Sequence, residues 1–211
     1  MIPDVKKHYK ALLKRHGFSL AALQWNDRGA LHKRFEILTG IDPKIRSVID
    51  VGCGLGDLGE YLLQKDYKGK YLGLDFLEEF IDFSKKKFGQ RFTFRVFDIW
   101  QENIPAGYDY VLLSGVFNNR TPDAKEFMFQ TIRKMYKACK KGMAFNSMST
   151  YVDYKDKILY YSNPLEIFDY CKKYLTPRVV LRHDYVVKKG NSLPGKIRII
   201  QFIETDNGPL G

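Results

Sequence analysis

A chain of 211 residues is long enough for one domain with a full core, or for a domain with a small addition. Its 45% hydrophobic and 28% charged residues are ordinary for a globular protein; no apolar run reaches a membrane span of about twenty residues, and the start MIPDVKKHYK lacks the apolar core of a signal peptide. The net charge of +11 raises nucleic acid as a partner, yet the basic residues are scattered, several of them near expected helix C-termini where cations favour the dipole.

Residues 1–44 read as a helical extension. Val5, Tyr9, Leu12 and Leu13 form one apolar stripe that ends near Gly17. Ser19 stands as N-cap of a short second helix through Trp25, and a third helix runs from about Gly29 to Thr39, stopped by Gly40 and Pro43. The segment QWNDRGALHKRFEIL gathers Trp25, Asn26, Arg28, His32, Arg34 and Phe35. Two readings of it stand: its cations and imidazole meet a ligand's anionic group, or it is a solvated helix with Leu31, Phe35 and Leu38 packed inward. His8 and His16 lie among lysines and read as surface residues.

The stretch VIDVGCGLGDLG, Val48 to Gly59, organises the rest of the chain. Val48, Ile49 and Val51 are β-branched and read as a buried strand; Gly52, Gly54 and Gly56 make a turn; Leu58, Tyr61, Leu62 and Leu63 then recur at helical spacing. Strand, glycine turn and helix N-terminus form a cradle that a nucleotide-like ligand can approach closely. Gly54-Leu-Gly56-Asp-Leu-Gly59 fits the dinucleotide G-x-G-x-x-G spacing, with Asp75 placed as a ribose-binding acid. Gly52-Cys-Gly54-Leu-Gly56 fits G-x-G-x-G, with Asp50 two residues ahead. A turn beginning at Gly54 would bury Asp50 unpaired within a parallel strand, which is costly. A turn beginning at Gly52 puts Asp50 at the strand's carboxyl end, where an acid suits a ligand carrying an ammonium group.

From Ile45 the chain alternates strand and helix, the pattern of a parallel sheet covered on both faces. Strands are expected near 46–51, 70–74, 91–97, 108–113 and 142–147, and helices near 57–65, 77–88, 122–139 and 164–174. The long helix starts TPDAKEFMFQTI, with Thr121 as N-cap and Pro122 at its first position. Ser147 to Pro164 exceeds the usual strand-to-helix connection of about two to six residues and carries Tyr151, Tyr154, Tyr160 and Tyr161. It reads as a lid or acceptor surface, or as a loop packed down by Ile158 and Leu159. TPRVVLRHDYVV and KIRIIQFIE are two β runs joined by KKGNSLPG, a hairpin; residues 205–211, TDNGPLG, have no pattern and are expected to be disordered.

These residues resemble the class I S-adenosylmethionine-dependent methyltransferases. VIDVGCGLG matches that family's first motif at every place, YLGLDF supplies the acid closing its second strand, FTFRVFDIW the acid after its third, and YDYVLLSG its fourth strand. The hairpin matches the antiparallel last strand that separates this family from the dinucleotide-binding fold. The resemblance implies an α/β, Rossmann-like sheet, mostly parallel and seven-stranded with an antiparallel last strand, over residues 45–204. It implies S-adenosylmethionine as cofactor, held by Asp50, Gly52, Gly54, Gly56, Asp75, Phe76, Asp98, Ile99 and Ser114. Asp75 would accept from the ribose hydroxyls. The resemblance does not cover the first forty residues, but in many small members such an extension, here residues 1–44, folds over the cofactor mouth. Its cations would there meet the methionyl carboxylate or the substrate, unless the helix is merely solvated.

The fourth and fifth strands then deliver Ser114, Asn118, Asn119, Arg120, Asn146 and Ser147 to the substrate, none of them a strong base. Catalytic candidates are His183, Asn146 and Asn118; substrate candidates are Arg120, Tyr151 and Tyr154. Ser114 stands where a metal-dependent member would carry an Asp, so no metal is expected. Cys53, Cys139 and Cys171 are odd in number and far apart, which points to a reducing cytoplasm without disulfides or structural zinc. The expectation is methyl transfer to an O or N atom of a small molecule, with RNA or another nucleic acid, or a catalytically silent partner subunit, as the alternatives. A nicotinamide-dependent oxidoreductase stands further off.

Overall fold

The structure, a computed structural model, describes residues 2–25, 27–153, 155–185 and 198–204. Seven strands form one sheet in the order β3-β2-β1-β4-β5-β7-β6. They are β1 Ser47–Val51, β2 Lys70–Asp75, β3 Thr93–Val96, β4 Tyr108–Leu113, β5 Cys139–Met148, β6 Val179–Arg182 and β7 Arg198–Glu204. β1 to β5 pair in parallel, whereas β7 is antiparallel to both β5 and β6. The strand order reverses at β1, which lies between β2 and β4. That opens a crevice beyond the strands' carboxyl ends.

The two-residue alternation of each strand divides the core. Val48, Tyr110 and Leu112 pack on one side with Leu31 and Phe35 of α2 (Arg28–Thr39), Leu58 and Leu62 of α3 (Asp57–Gln64) and Ile81 of α4 (Glu78–Phe88). Ile49, Val51, Val111 and Leu113 pack on the other with Met128 and Ile132 of α5 (Ala124–Ala138) and Ile167 and Cys171 of α6 (Pro164–Tyr174). Ahead of the sheet, α1 spans Ile2–His16 and a 3-10 turn spans Leu20–Leu23.

Several boundaries differ from expectation. Ser19 does not cap the second segment by its side chain: its Oγ donates to the His16 carbonyl at 2.9 Å, so the chain makes a 3-10 turn rather than a helix through Trp25. Asp27 caps α2 instead, its carboxylate accepting the Ala30 N–H at 3.1 Å. α5 begins at Ala124, because the Thr121 carbonyl accepts the Ala124 N–H and closes a turn through Pro122. β5 begins at Cys139, before the apolar run at Met143: Cys139 pairs with Tyr108 of β4, and the exposed Lys141 reaches Asp109 of the same strand at 3.5 Å. The loop KKGNSLPG and the tail 205–211 lie outside the described residues.

Candidate functional site

β1 ends at Val51 and the chain turns at once: Gly52, Gly54 and Gly56 have φ of +73°, +53° and +75°. The turn is pinned to the end of β2. The Gly52 and Cys53 N–H groups donate to the Leu74 carbonyl at 2.7 and 3.0 Å, and the Gly54 N–H donates to Asp75 Oδ2 at 2.9 Å. Asp75 Oδ1 accepts the Leu77 N–H at 2.9 Å, so one buried carboxylate joins the glycine turn to the start of α4. Burial raises its pKa to about 6 against the pull of these N–H donors. Asp50 lies within β1, one residue short of its end, and is not unpaired: the Tyr71 hydroxyl of β2 donates to it at 2.6 Å. Burial pushes Asp50 to about 7. Tyr71 escaped the sequence reading because only the β1–β2 register puts it beside Asp50.

Beyond these strand ends lies a cavity of about 210 Å³. The structure brings Asp50, Gly52, Gly54, Asp75 and Phe76 to its wall, with Asp98 and Ile99 after β3 and Ser114 and Asn118 after β4. Gly56 is not among the lining residues. A Cβ there would stand 2.5 Å from Phe88 Cε2, so its glycine serves the packing of α3 on α4. The remaining wall comes from the N-terminal segment. Tyr9 wedges edge-on to Phe76 and Phe80, with ring centroids 6.0 and 6.4 Å away, and its hydroxyl accepts from Asn119 Nδ2 at 3.3 Å. Leu23 lies over Gly54, 3.0 Å from where a Cβ would be, and Trp25 lies over Gly115 at 2.6 Å. Tyr9 belongs to an apolar helical stripe that a core residue gives equally well, and Leu23 stands in no such stripe, so no sequence pattern marked either for the site.

The cavity is acidic. Asp50, Asp57, Asp75 and Asp98 line it, and no lysine, arginine or histidine does so among the described residues. Asp57 Oδ2 is buried with no hydrogen-bond partner among those residues, and burial raises its pKa. The cations of residues 25–39 are not among the lining residues, although Arg28 and His32, with Lys87, lie close enough to act on the Asp57 carboxylate. Arg28 pairs with Glu60 at 3.7 Å, His32 stacks edge-on against Tyr61, and Arg34 donates to the Ala30 carbonyl at 2.6 Å beneath the Trp25 ring. Leu31, Phe35 and Leu38 are buried, as the solvated-helix reading has it.

Other expected site residues stand apart. Asn146 is a tie between β4 and β5: its Oδ1 accepts the Gly115 N–H at 2.8 Å and its Nδ2 donates to Ser114 Oγ at 3.0 Å. Ser147 is buried against Ser162, their hydroxyls 2.8 Å apart. His183 sits outside the cavity with Nε2 3.0 Å from Ser149 Oγ, and burial lowers its pKa. Arg120 donates to the Lys157 carbonyl at 3.1 Å, and Tyr151, 55% exposed and not among the lining residues, sets its ring edge-on to His183 while its N–H donates to Ser149 Oγ at 3.0 Å. Tyr154 and Asn26 lie outside the described residues. Of the tyrosine-rich loop, Leu159 reaches the cavity, held by a β-bridge to Asn119. Cys53 is buried and its thiol pKa is raised well above the ordinary value, chiefly by burial, which leaves it unreactive.

Comparison with known proteins agrees with this geometry. Residues 49–143 match a family model described as a methyltransferase domain. The chain is 31% identical over 156 residues to "Putative methyltransferase Rv1506c" of Mycobacterium tuberculosis, a match covering 71% of this chain and 91% of that protein. In fold it is similar to the DhpI–SAH complex, with a TM-score of 0.67 at 14% identity over 98% of both chains. It is also similar to magnesium protoporphyrin IX methyltransferase (ChlM) from Synechocystis PCC 6803 with bound SAM. There the TM-score is 0.61 at 16% identity, covering 83% of this chain and 80% of that one.

Proposed function

The chain belongs to the class I S-adenosylmethionine-dependent methyltransferases, and from that premise we propose that it methylates an O or N atom of a small-molecule acceptor by in-line displacement. The observation that carries the reading is the cavity itself: covered by Tyr9, Leu23 and Trp25 and lined by four acids, with no lysine, arginine or histidine among its described lining residues. Those acids suit the sulfonium and the ammonium of the cofactor, although no lining cation among the described residues meets its methionyl carboxylate, and they disfavour an acceptor that brings a phosphate close. Of the similar folds, one is by name a magnesium protoporphyrin IX methyltransferase, a small-molecule enzyme.

In this reading Asp75 takes the ribose hydroxyls, Phe76, Asp98 and Ile99 hold the adenine, and the bare backbone of Gly52 and Gly54 admits the methionyl arm beside Asp50. Bound S-adenosylmethionine supplies a methyl group already activated by positive sulfur. What remains for the protein is orientation and exclusion of water, which can account for much of the rate of a displacement. Asn118 and Asn119, fixed by the Tyr160 N–H on the Asn118 carbonyl and by the Leu159 bridge, stand where an acceptor would be aligned. Neither amide is a base, so the acceptor brings its own lone pair. The N-terminal residues 1–44 act as the roof over the cofactor mouth.

Calorimetric titration with S-adenosylmethionine, followed by transfer of labelled methyl groups to a panel of amines, phenols and carboxylic acids, tests the proposal. Saturable binding with label on an amine or phenol is expected. Cofactor binding with label only on macromolecules would overturn the small-acceptor reading.

A further inference from the structure

The loop after β3 carries Asp98, Ile99 and Trp100 along the cavity wall, and it is short of regular backbone partners. Part of its shape is self-made. The Asp98 carbonyl accepts the Gln101 and Glu102 N–H groups at 3.1 and 2.8 Å, Asp98 Oδ1 accepts the Trp100 N–H at 2.9 Å, and Glu102 Oε1 accepts the Asp98 N–H at 2.9 Å. The rest comes from one side chain on another element. Lys134 of α5 donates from Nζ to the carbonyls of Ile99 at 2.6 Å, Trp100 at 3.0 Å and Glu102 at 2.9 Å. An ammonium has three protons, and here three carbonyls of one loop receive them. The Trp100 ring adds a second tie to α5, packing on Phe127 with centroids 5.2 Å apart.

We propose that Lys134 is the positioning residue of the nucleobase end of the site: by gathering the Ile99, Trp100 and Glu102 carbonyls it fixes Asp98 and Ile99 in the orientation that selects adenine. The inference rests on the cofactor reading above. Lys134 itself is not among the lining residues, so it acts through the loop. Its partial burial, which lowers its pKa, strengthens its charge-assisted hydrogen bonds relative to those of a solvated lysine. Without the ammonium, three carbonyls of the loop, two of them on cavity-lining residues, lose their shared donor, and the loop must then be ordered by the ligand at the ligand's expense. Hydrogen-bonding sites discriminate strongly against analogues that break the pattern, so a loosened loop loses selectivity as well as affinity.

The test measures dissociation constants of S-adenosylhomocysteine and of its hypoxanthine analogue, S-inosylhomocysteine, for the wild type and for Lys134→Met, Lys134→Gln and Lys134→Arg, with thermal unfolding of each. The wild type is expected to prefer the adenine compound by at least about tenfold. Lys134→Met and Lys134→Gln should weaken its binding by about tenfold or more and bring the two constants within a few-fold of each other, whereas Lys134→Arg, which keeps charge and donors, restores much of the preference. The milder Lys134→Gln carries the same comparison should Lys134→Met fail to fold. A merely structural lysine would lower the unfolding temperature and leave the adenine-to-hypoxanthine ratio alone, and that result overturns the inference. Absence of S-adenosylhomocysteine binding in the wild type would overturn the cofactor reading and this one with it.

Discussion

Asp75 is the residue on which the site turns, since its two oxygens already hold the Gly54 and Leu77 N–H groups and retain lone pairs for a ligand. Hydrogen bonds to a charged group are each worth roughly 1.5–3 kcal/mol, so Asp75→Ala should weaken cofactor binding at least about tenfold by titration. Some stability is lost too, because two backbone donors are orphaned. The raised pKa values give a second expectation. Asp50 at about 7 and Asp75 at about 6 bind protons more tightly folded than unfolded, where a carboxyl titrates near 3.8. Between those limits the native state holds the extra protons, so stability is greatest below about pH 4 for these two groups and falls as pH rises toward 7. Cofactor affinity should run the other way, rising from about pH 5.5 to 7.5 as the acids become anionic toward a cationic ligand. Asp50→Asn should flatten both profiles; unchanged profiles would remove Asp50 from either role. At this scale the sequence was partly legible. The glycines and acids could be named from their spacing, but not that Gly56 answers to Phe88, nor that Tyr71 serves Asp50. Those facts come from register and helix packing, which a local motif does not contain.

Elements were easier to read than their joints. Strong apolar periodicity located the helices and strands within a few residues, while the starts of α5 and β5 moved because backbone pairing and a carbonyl-closed turn outweighed the side-chain pattern. The N-terminal segment was legible as helix, and the family resemblance implied an extension over the cofactor mouth, but its charged residues drew attention as ligand contacts, whereas Tyr9, Leu23 and Trp25 are the side chains that reach the cavity. At about 210 Å³ the cavity is smaller than the range of about 300–1,000 Å³ usual for ligand sites, and Leu23 lies directly over the Gly54 backbone. Cofactor binding is therefore expected to move residues 18–25 outward. Hydrogen exchange at those residues should change on adding S-adenosylhomocysteine, and Leu23→Ala should speed association severalfold by relieving the overlap. The same exchange with and without ligand, together with a wild-type association rate in Leu23→Ala, would mean that the roof is rigid and the ligand enters elsewhere.

At the scale of the molecule, the two-sided core and the reversal of strand order at β1 arise from alternation along each strand, and both were open to a reader of the sequence. The distribution of charge was not. A net charge of +11 describes the whole chain, yet the cavity it surrounds is walled by four carboxyl groups with no cation among its described lining residues. Apart from the buried Arg34, most of the positive charge lies on the exterior, where part of it is paired, as Lys10 is with Glu79 and Lys87 with Glu60. A polyanion gains by lying on such a surface, through counterion release, but loses by sending a phosphate toward Asp50 and Asp75. Surface binding and methyl acceptance should therefore separate. With labelled S-adenosylmethionine and a fractionated cell extract, label is expected in the small-molecule fraction, persisting at about 0.5 M salt where the Debye length falls below about 5 Å and surface attraction is largely screened. Nucleic acid from the same extract should bind weakly, lose that binding steeply with salt, and take up no label. Incorporation into the nucleic-acid fraction, abolished by the same rise in salt, would show instead that the basic exterior is the substrate platform and that the acidic cavity accepts a base brought in from it.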